Sequence, residues 1–316
     1  MTSCSESVNE SRRDLDERLA PRRVIEALNG SARRGRRRHD FLLRHHRTLA
    51  PILRAGLKLA GLYSRGVENA RNPIVRRVRF EFPGLPAGFD GFTILHLADL
   101  HIDGWEGLPE AIAERVAGLP ADLCVMTGDY RYDVDGPCDA VYSGMETILS
   151  SVQADHGVFA ILGNHDAAEI AVELENFGVR MLINEAVEVR QGSGSFWVAG
   201  VDDPHYYGCD DLPTALENIP RNAFKVLLAH TPEIFEEAAG SGIHLYLCGH
   251  THAGQICLPL LGAPLLNATC PKAYKRGGWS HAGMQGYTSS GIGASMVPVR
   301  YNCPPEIVLI ELGSKL

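Results

Sequence analysis

The sequence predicts an α/β protein that gathers one polar site at the carboxyl ends of its strands. Two observations carry this. From residue 75 onward, apolar runs of strand length alternate with stretches of helix length, the pattern of an α/β sheet. Five of those runs end in clusters of Asp, His or Asn. Open α/β sheets bind ligands at strand carboxyl ends, so five such clusters describe one shared site better than five accidents.

Composition sets the frame. The chain has 316 residues, 45% apolar and 22% charged, as expected of a globular protein with a sizeable core. Its charge is uneven. Residues 1–79 hold 19 of the 30 basic and 8 of the 38 acidic side chains, a net of about +11, and the remainder is about −19. The eight cysteines are scattered without a C-x-x-C pair, neither a disulfide framework nor a zinc-finger pattern. No apolar run is long enough to span a bilayer, and the polar N-terminus lacks the apolar core of a signal peptide. A cytoplasmic protein is expected, peripheral on the inner face of the membrane if its basic segment binds there.

Three segments follow. Residues 1–40, with the run Arg33-Arg-Gly-Arg-Arg-Arg38, read as a basic, partly disordered arm. Residues 41–74 read as a basic amphipathic helix and a linker. Over 41–65, Leu42, Leu49, Leu53, Leu57 and Ala60 share one side, and Arg44, Arg47, Arg54, Lys58 and Arg65 the other. Pro51 should weaken or kink the middle. Such a helix can lie on an anionic membrane surface or pack its apolar stripe on the body, and the sequence leaves both open. Nucleic acid is disfavoured, because the arm has charge but little aromatic interleaving. Residues 75–316 form the body.

Within the body, Phe92–Ala98 reads as a core strand delivering Asp99-Leu-His101, two metal-competent groups on one strand face. A helix at about 109–119 leads to a strand from Leu123 that ends on Gly128-Asp129. A helix near 140–153 precedes the strand Val158–Leu162, which runs into Gly163-Asn-His-Asp166. After a helix at 167–177, short strands at 181–183 and 196–201 lead to Asp202-Asp-Pro-His-Tyr-Tyr207. Strand Lys225–Ala229 delivers His230, and strand His244–Leu247 delivers Gly249-His-Thr-His252. Residues 253–304 read as Gly- and Pro-rich loop, and Glu306–Leu312 as a closing strand.

Singly, each polar residue has a bland reading as a turn former, a helix cap or a satisfied core histidine. Together, D-x-H, G-D, G-N-H-D, a lone strand-end His and G-H-x-H, in that order, resemble the calcineurin-like metallophosphoesterase superfamily. The resemblance covers roughly residues 92–312. Gly200-Val-Asp-Asp-Pro204, Gly291-Ile-Gly293, Pro298-Val-Arg300 and Pro304-Pro-Glu-Ile307 are similar to its bacterial small-molecule and lipid phosphodiesterase branch.

The resemblance implies a four-layer α-β-β-α sandwich with two mixed sheets and a dimetal site at strand C-terminal ends. It implies that Asp99, His101, Asp129 and His252 hold one metal, and Asp129, Asn164, His230 and His250 the other, with Asp129 shared. Imidazole and carboxylate suit two divalent ions, manganese first, with iron or zinc as alternatives. His165 would stabilise phosphoryl charge or protonate the leaving oxygen, and Asp166 would orient it or cap the next helix.

The run Gly128-Asp-Tyr-Arg-Tyr-Asp133 lacks the Asp-Arg pair that follows G-D in the superfamily's protein phosphatases, which argues against a phosphoprotein substrate. Arg131 is a weak candidate for phosphate contact. Loops 202–209 and 258–284 are expected to shape the pocket, with Tyr206, Tyr207, Tyr274 and Trp279 as candidate walls. The expected function is cleavage of phosphodiester or pyrophosphate bonds by metal-activated water, in a small-molecule or lipid-linked substrate. The alternatives are a UDP-2,3-diacylglucosamine pyrophosphatase-like enzyme of lipid A synthesis acting at the membrane surface, and a non-catalytic scaffold.

Overall fold

Three helices open the chain, α1 (Thr2–Ser31), α2 (Phe41–Leu59) and α3 (Tyr63–Ala70). Strands β1 (Ile74–Phe82) and β2 (Thr93–Leu97) follow, then α4 (Leu108–Val116), β3 (Leu123–Met126), α5 (Asp139–Leu149), β4 (Val158–Ala160), α6 (Ala168–Asn176) and β5 (Arg180–Met181). The second half runs β6 (Glu185–Gln191), β7 (Gly194–Gly200), α7 (Leu212–Leu216), β8 (Lys225–Leu228), α8 (Phe235–Gly240) and β9 (Leu245–Cys248). It ends with β10 (Gly277–His281), β11 (Met284–Thr288) and β12 (Glu306–Ser314). The computed structural model describes residues 2–31, 41–263 and 267–315.

The strands make two six-stranded sheets, ordered β1-β12-β2-β3-β4-β5 and β10-β11-β9-β8-β7-β6. In the first, β2, β3, β4 and β5 are parallel neighbours, and α4, α5 and α6 supply the crossovers that parallel pairing requires. β12 turns it into a mixed sheet by running antiparallel to β2. The second sheet has a parallel core of β11, β9, β8 and β7, with an antiparallel strand at each edge.

Strand alternation assigns the faces. On β2 and β3, Ile94, Leu123 and Val125 point between the sheets, where they meet Phe196, Val198, Val226, Leu228 and Leu247 of the second sheet. Leu95, Leu97, Cys124 and Met126 point the other way, into a core covered by α4, α5, α6 and the middle of α1. The far face of the second sheet is covered by α7 and α8. The result is the α-β-β-α sandwich with two mixed sheets.

Four expectations are corrected. The segment 1–40, read as a partly disordered arm, is helical over Thr2–Ser31, with Leu15, Leu19 and Arg22 buried, and its run Arg33–Arg38 lies outside the described residues. The basic amphipathic helix ends at Leu59 rather than near 65, and it passes through Pro51 without ending there. The supposed linker contains α3. It docks so closely that a Cβ on Gly66 would lie 2.7 Å from the Tyr301 ring, and Gly66 O accepts from Arg300 N at 2.9 Å. The supposed loop 253–304 contains the β10–β11 hairpin, which its glycines and the Ala282-Gly283 turn conceal.

Candidate metal centre

All seven residues expected to hold metal converge at the strand ends, and all are buried. Asp129 sits in the middle. Its Oδ2 lies 3.7 Å from His101 Nε2 on one side and 3.4 Å from His230 Nε2 on the other. On the His101 side, His252 Nε2 lies 3.1 Å from His101 Nε2 and 3.7 Å from Asp99 Oδ1. On the His230 side, Asn164 Oδ1 lies 2.9 Å from His230 Nε2 and 2.8 Å from His250 Nδ1. Asp99–His101–His252 and Asp129–His230–His250 thus each bring three ligand atoms within 4.8 Å of one another, and His165 makes a third such group with His101 and Asp129.

The tautomers say what these groups lack. His101 Nδ1 donates to Arg131 O at 2.7 Å, and His230 Nδ1 donates to Thr127 O at 2.8 Å. A neutral imidazole carries one N–H, so the neutral His101 ring turns a bare Nε2 lone pair toward the centre, and His230 does so when a cation replaces its Nε2 proton. There the lone pairs meet other acceptors: Asp129 Oδ2 near both, and Asn164 Oδ1 near His230. Acceptors converging in a buried space call for cations between them. Imidazole, carboxylate and amide oxygen together fit divalent transition metals.

Electrostatics sharpen this. Burial would raise Asp129, but His230, His165 and His101 outweigh it and hold the carboxyl well below the usual range. Burial opposes the charge on His230, yet Asp129 and Asp99 lift it to about 10. Burial pushes His101 down to about 3 and His250 and His252 far down as well, so these rings are neutral. Burial, partly offset by His230, lifts Asp99 to about 7.

Backbone conformation marks the same residues. Asp99, His101, Asp129, His250 and His252 all have φ between 41° and 66°. Left-handed backbone is uncommon outside glycine, and strain of this kind gathers at functional sites. The flanking glycines are needed for approach. A Cβ on Gly163 would lie 2.3 Å from Asp129 Oδ1, and one on Gly249 would lie 2.1 Å from Asp99 Oδ2.

His165 also faces the centre. Its Nδ1 donates to Tyr132 O at 2.7 Å, which turns Nε2 toward the centre, 4.0 Å from Asp129 Oδ2. Asp166 is a correction, because it neither orients His165 nor caps α6. Its Oδ2 accepts from Asp129 N and Gly163 N, both at 2.7 Å, and its Oδ1 accepts from Tyr130 N at 2.8 Å. It therefore clamps two site loops together. Arg131 is also no phosphate contact. Its guanidinium is used on the carbonyls of His165, Gly136 and Val134.

Three functional neighbours escaped the sequence reading. His205 packs on His250 with ring centroids 4.3 Å apart, and its Nδ1 lies 3.1 Å from the Glu233 carboxylate. Arg300, quoted only as part of a motif, is wholly buried. Its Nη2 donates to Gly291 O at 3.1 Å and reaches His252 Nδ1 at 3.2 Å. Arg22, from the supposed tail, is buried behind Asn164. Only the heptad-like spacing of Leu15, Leu19 and Arg22 hinted at it.

A cleft of about 310 Å³ opens over the centre. Its floor includes Asp129, Asn164, His165, His250 and His252. Its walls are Leu53 of α2, Tyr132, Val134, Ile256, Met296 and Val297. The expected walls Tyr206, Tyr207, Tyr274 and Trp279 do not line it. Tyr207 stacks on Arg22, while Tyr274 and Trp279 pack with each other outside the second sheet.

The profile of the calcineurin-like phosphoesterase family matches residues 92–254. The phosphodiesterase YaeI of Escherichia coli K12 is 32% identical over 232 residues, 70% of this chain and 82% of that protein. The uncharacterized metallophosphoesterase YkuE of Bacillus subtilis 168 is 29% identical over 241 residues, 73% of this chain and 82% of that protein. Among solved structures, the calcineurin-like phosphoesterase YfkN of Bacillus subtilis aligns with a TM-score of 0.40 at 14% identity, over 64% of this chain and 82% of that one.

Proposed function

The chain belongs to the calcineurin-like phosphoesterase family of phosphoester hydrolases, and on that premise we propose that it cleaves phosphodiester or pyrophosphate bonds at a dinuclear metal centre. The carrying observation is the placement of Asp129 Oδ2 between His101 and His230, at 3.7 and 3.4 Å. Asp99, His101, Asp129 and His252 would hold one divalent cation, and Asp129, Asn164, His230 and His250 the other, with manganese preferred over iron or zinc. Such a pair supplies Lewis acidity to phosphoryl oxygens and acidifies water. Asn164 is neutral, which leaves the centre positive enough to attract phosphate. His165, fixed through Nδ1, presents Nε2 to the substrate and in its protonated form donates to the leaving oxygen.

The cleft supports a substrate with an organic group on both sides of the phosphate. Among the described residues that line it none is Lys or Arg, so these residues add no cation for a monoester dianion or a nucleic-acid backbone. The apolar walls suit an apolar substituent, and the phosphodiesterase among the relatives points the same way.

A narrower reading, a lipid-linked substrate taken from an anionic membrane surface, is favoured by α2. Leu53 lines the cleft, while Ile52 and Leu59 on the same helix are 68% and 90% exposed. Among the described α2 side chains Leu49 and Leu57 are half-buried and none is fully buried, so part of the helix's apolar surface stays exposed. A UDP-linked diacyl sugar such as UDP-2,3-diacylglucosamine has this chemistry. No helix among the described residues is long and apolar enough to cross a membrane.

The test is a screen of the manganese-loaded chain against a phosphomonoester, a phosphodiester, a cyclic nucleotide and the UDP-lipid. Hydrolysis of the diester or the UDP-lipid above the monoester is expected. A chain that binds manganese but hydrolyses none of the four is a scaffold, and the proposal fails.

A further inference from the structure

A charged side chain is almost never wholly buried unless it is paired, yet Arg22 of α1 has no exposed surface. Its guanidinium faces the back of the metal centre. Nε and Nη2 donate to Asp202 Oδ1 at 3.0 and 2.6 Å. Nη1 donates to Asp166 O at 2.7 Å and to Gly163 O at 3.2 Å, and Nη2 reaches Gly163 O at 3.2 Å as well. These five N–H···O contacts, to three acceptor atoms, use the full donor capacity of the group. The ring of Tyr207 closes the remaining face, 3.9 Å from the guanidinium carbon.

The two carbonyls held by Arg22 bracket Asn164 and His165, whose side chains face the centre. The Asp166 carboxylate grips the same turn from the other side, through Gly163 N. There is no slack in between, since even a Cβ on Gly163 would reach within 2.3 Å of Asp129 Oδ1. Displacing the turn therefore moves a metal-facing amide, a histidine and the central carboxylate together. Docking of the helix has separate anchors. Leu15 and Leu19 are buried in the core under α4–α6, Arg18 pairs with Glu185, and Glu26 accepts from Ala168 N at 2.8 Å.

We infer that Arg22 is a positioning residue for the metal centre: it fixes the Gly163–Asp166 turn, and through it the aim of Asn164 and His165. Residues 2–31 are then part of the working site rather than an appendage. This rests on the reading of Asn164 as a metal ligand and His165 as a proton donor. Lysine would keep the charge but not the planar fork that spans two carbonyls and a carboxylate.

The test uses the full chain with Arg22→Lys, Arg22→Ala and, as a control on the same helix, Arg18→Ala. Manganese affinity is measured by calorimetry, and kcat and KM with bis(p-nitrophenyl) phosphate. Loss of a residue that orients a ligand weakens metal binding or activity by about 10–100-fold. Arg22→Lys should weaken the lower-affinity manganese site by that amount and lower kcat more than it raises KM, because the substrate is still bound but poorly aligned. Guanidinium ion added to Arg22→Ala should restore part of kcat. Arg18→Ala should lower the melting temperature and change neither manganese affinity nor kcat.

A folded Arg22→Lys chain with the affinities and kcat of the unmodified protein would overturn the inference. So would an Arg18→Ala chain showing the same metal loss, since helix docking alone would then explain the effect. If Arg22→Ala does not fold, the lysine variant decides. If the unmodified chain cleaves no diester, the functional proposal fails, but the manganese comparison still judges Arg22.

Discussion

α1 and α2 lie in the same basic segment, and the structure treats them in opposite ways. α2 has a sharp apolar side over Leu49, Leu53 and Leu57, the pattern of a helix that packs. Yet its described side chains are at best half-buried. α1 has almost no apolar side, reads like a solvated tail and contains Pro21, yet Leu15, Leu19 and Arg22 in its middle are buried. The difference lies in what each meets. α1 carries two leucines and an arginine at matching spacing, and these meet a core and a set of buried acceptors. α2 touches the body chiefly at the cleft mouth through Leu53. Amphipathicity reports that a helix has an apolar side, and only the rest of the fold says whether protein covers it.

The largest effect expected from this contrast is on α1. Arg22→Ala should lower the unfolding free energy by about 3–5 kcal/mol, because it strands the Asp202 carboxylate in a buried site. Chemical denaturation would measure it. A loss under about 1 kcal/mol would put Arg22 among ordinary surface residues and erase the contrast.

The smaller effect is on α2. Ile52→Ser and Leu59→Ser together should change stability by no more than about 0.5 kcal/mol per site, as for surface positions. The same pair should weaken co-sedimentation with anionic phosphatidylglycerol vesicles. Leu260→Ser, at the fully exposed tip of the 258–262 turn, should add to that loss if the turn shares the membrane face. Unchanged vesicle binding would remove the membrane reading of α2. Removing residues 1–66 is a poor substitute for these changes, since it also removes Arg22 and half of α3.

The same division governs what the sequence made legible. The seven residues proposed to hold metal could be singled out because the family's motif strings carry them at strand ends; Asp99, His101, Asp129, Asn164, His230, His250 and His252 do converge there. The core strands were legible from apolar runs, and the sandwich only through the family resemblance. Asp166 was misread because a carboxylate after a histidine looks like its partner. The N–H groups of Asp129, Tyr130 and Gly163 that it accepts from are brought together only by folding. The cleft walls were misplaced for a related reason. Tyr132, Val134, Met296 and Val297 lie in short loops with no periodicity to reveal which way they face. β6 was missed because its one buried side chain, Val189, gives an edge strand little apolar signal.

The central claim is that Asp129 joins two cations into one centre, and electron paramagnetic resonance of the manganese-loaded chain tests it most directly. Two manganese ions per chain with an exchange-coupled spectrum are predicted, and Asp129→Asn should lose both the coupling and the hydrolysis. A single ion per chain, or two ions giving only the uncoupled six-line signal, would contradict it.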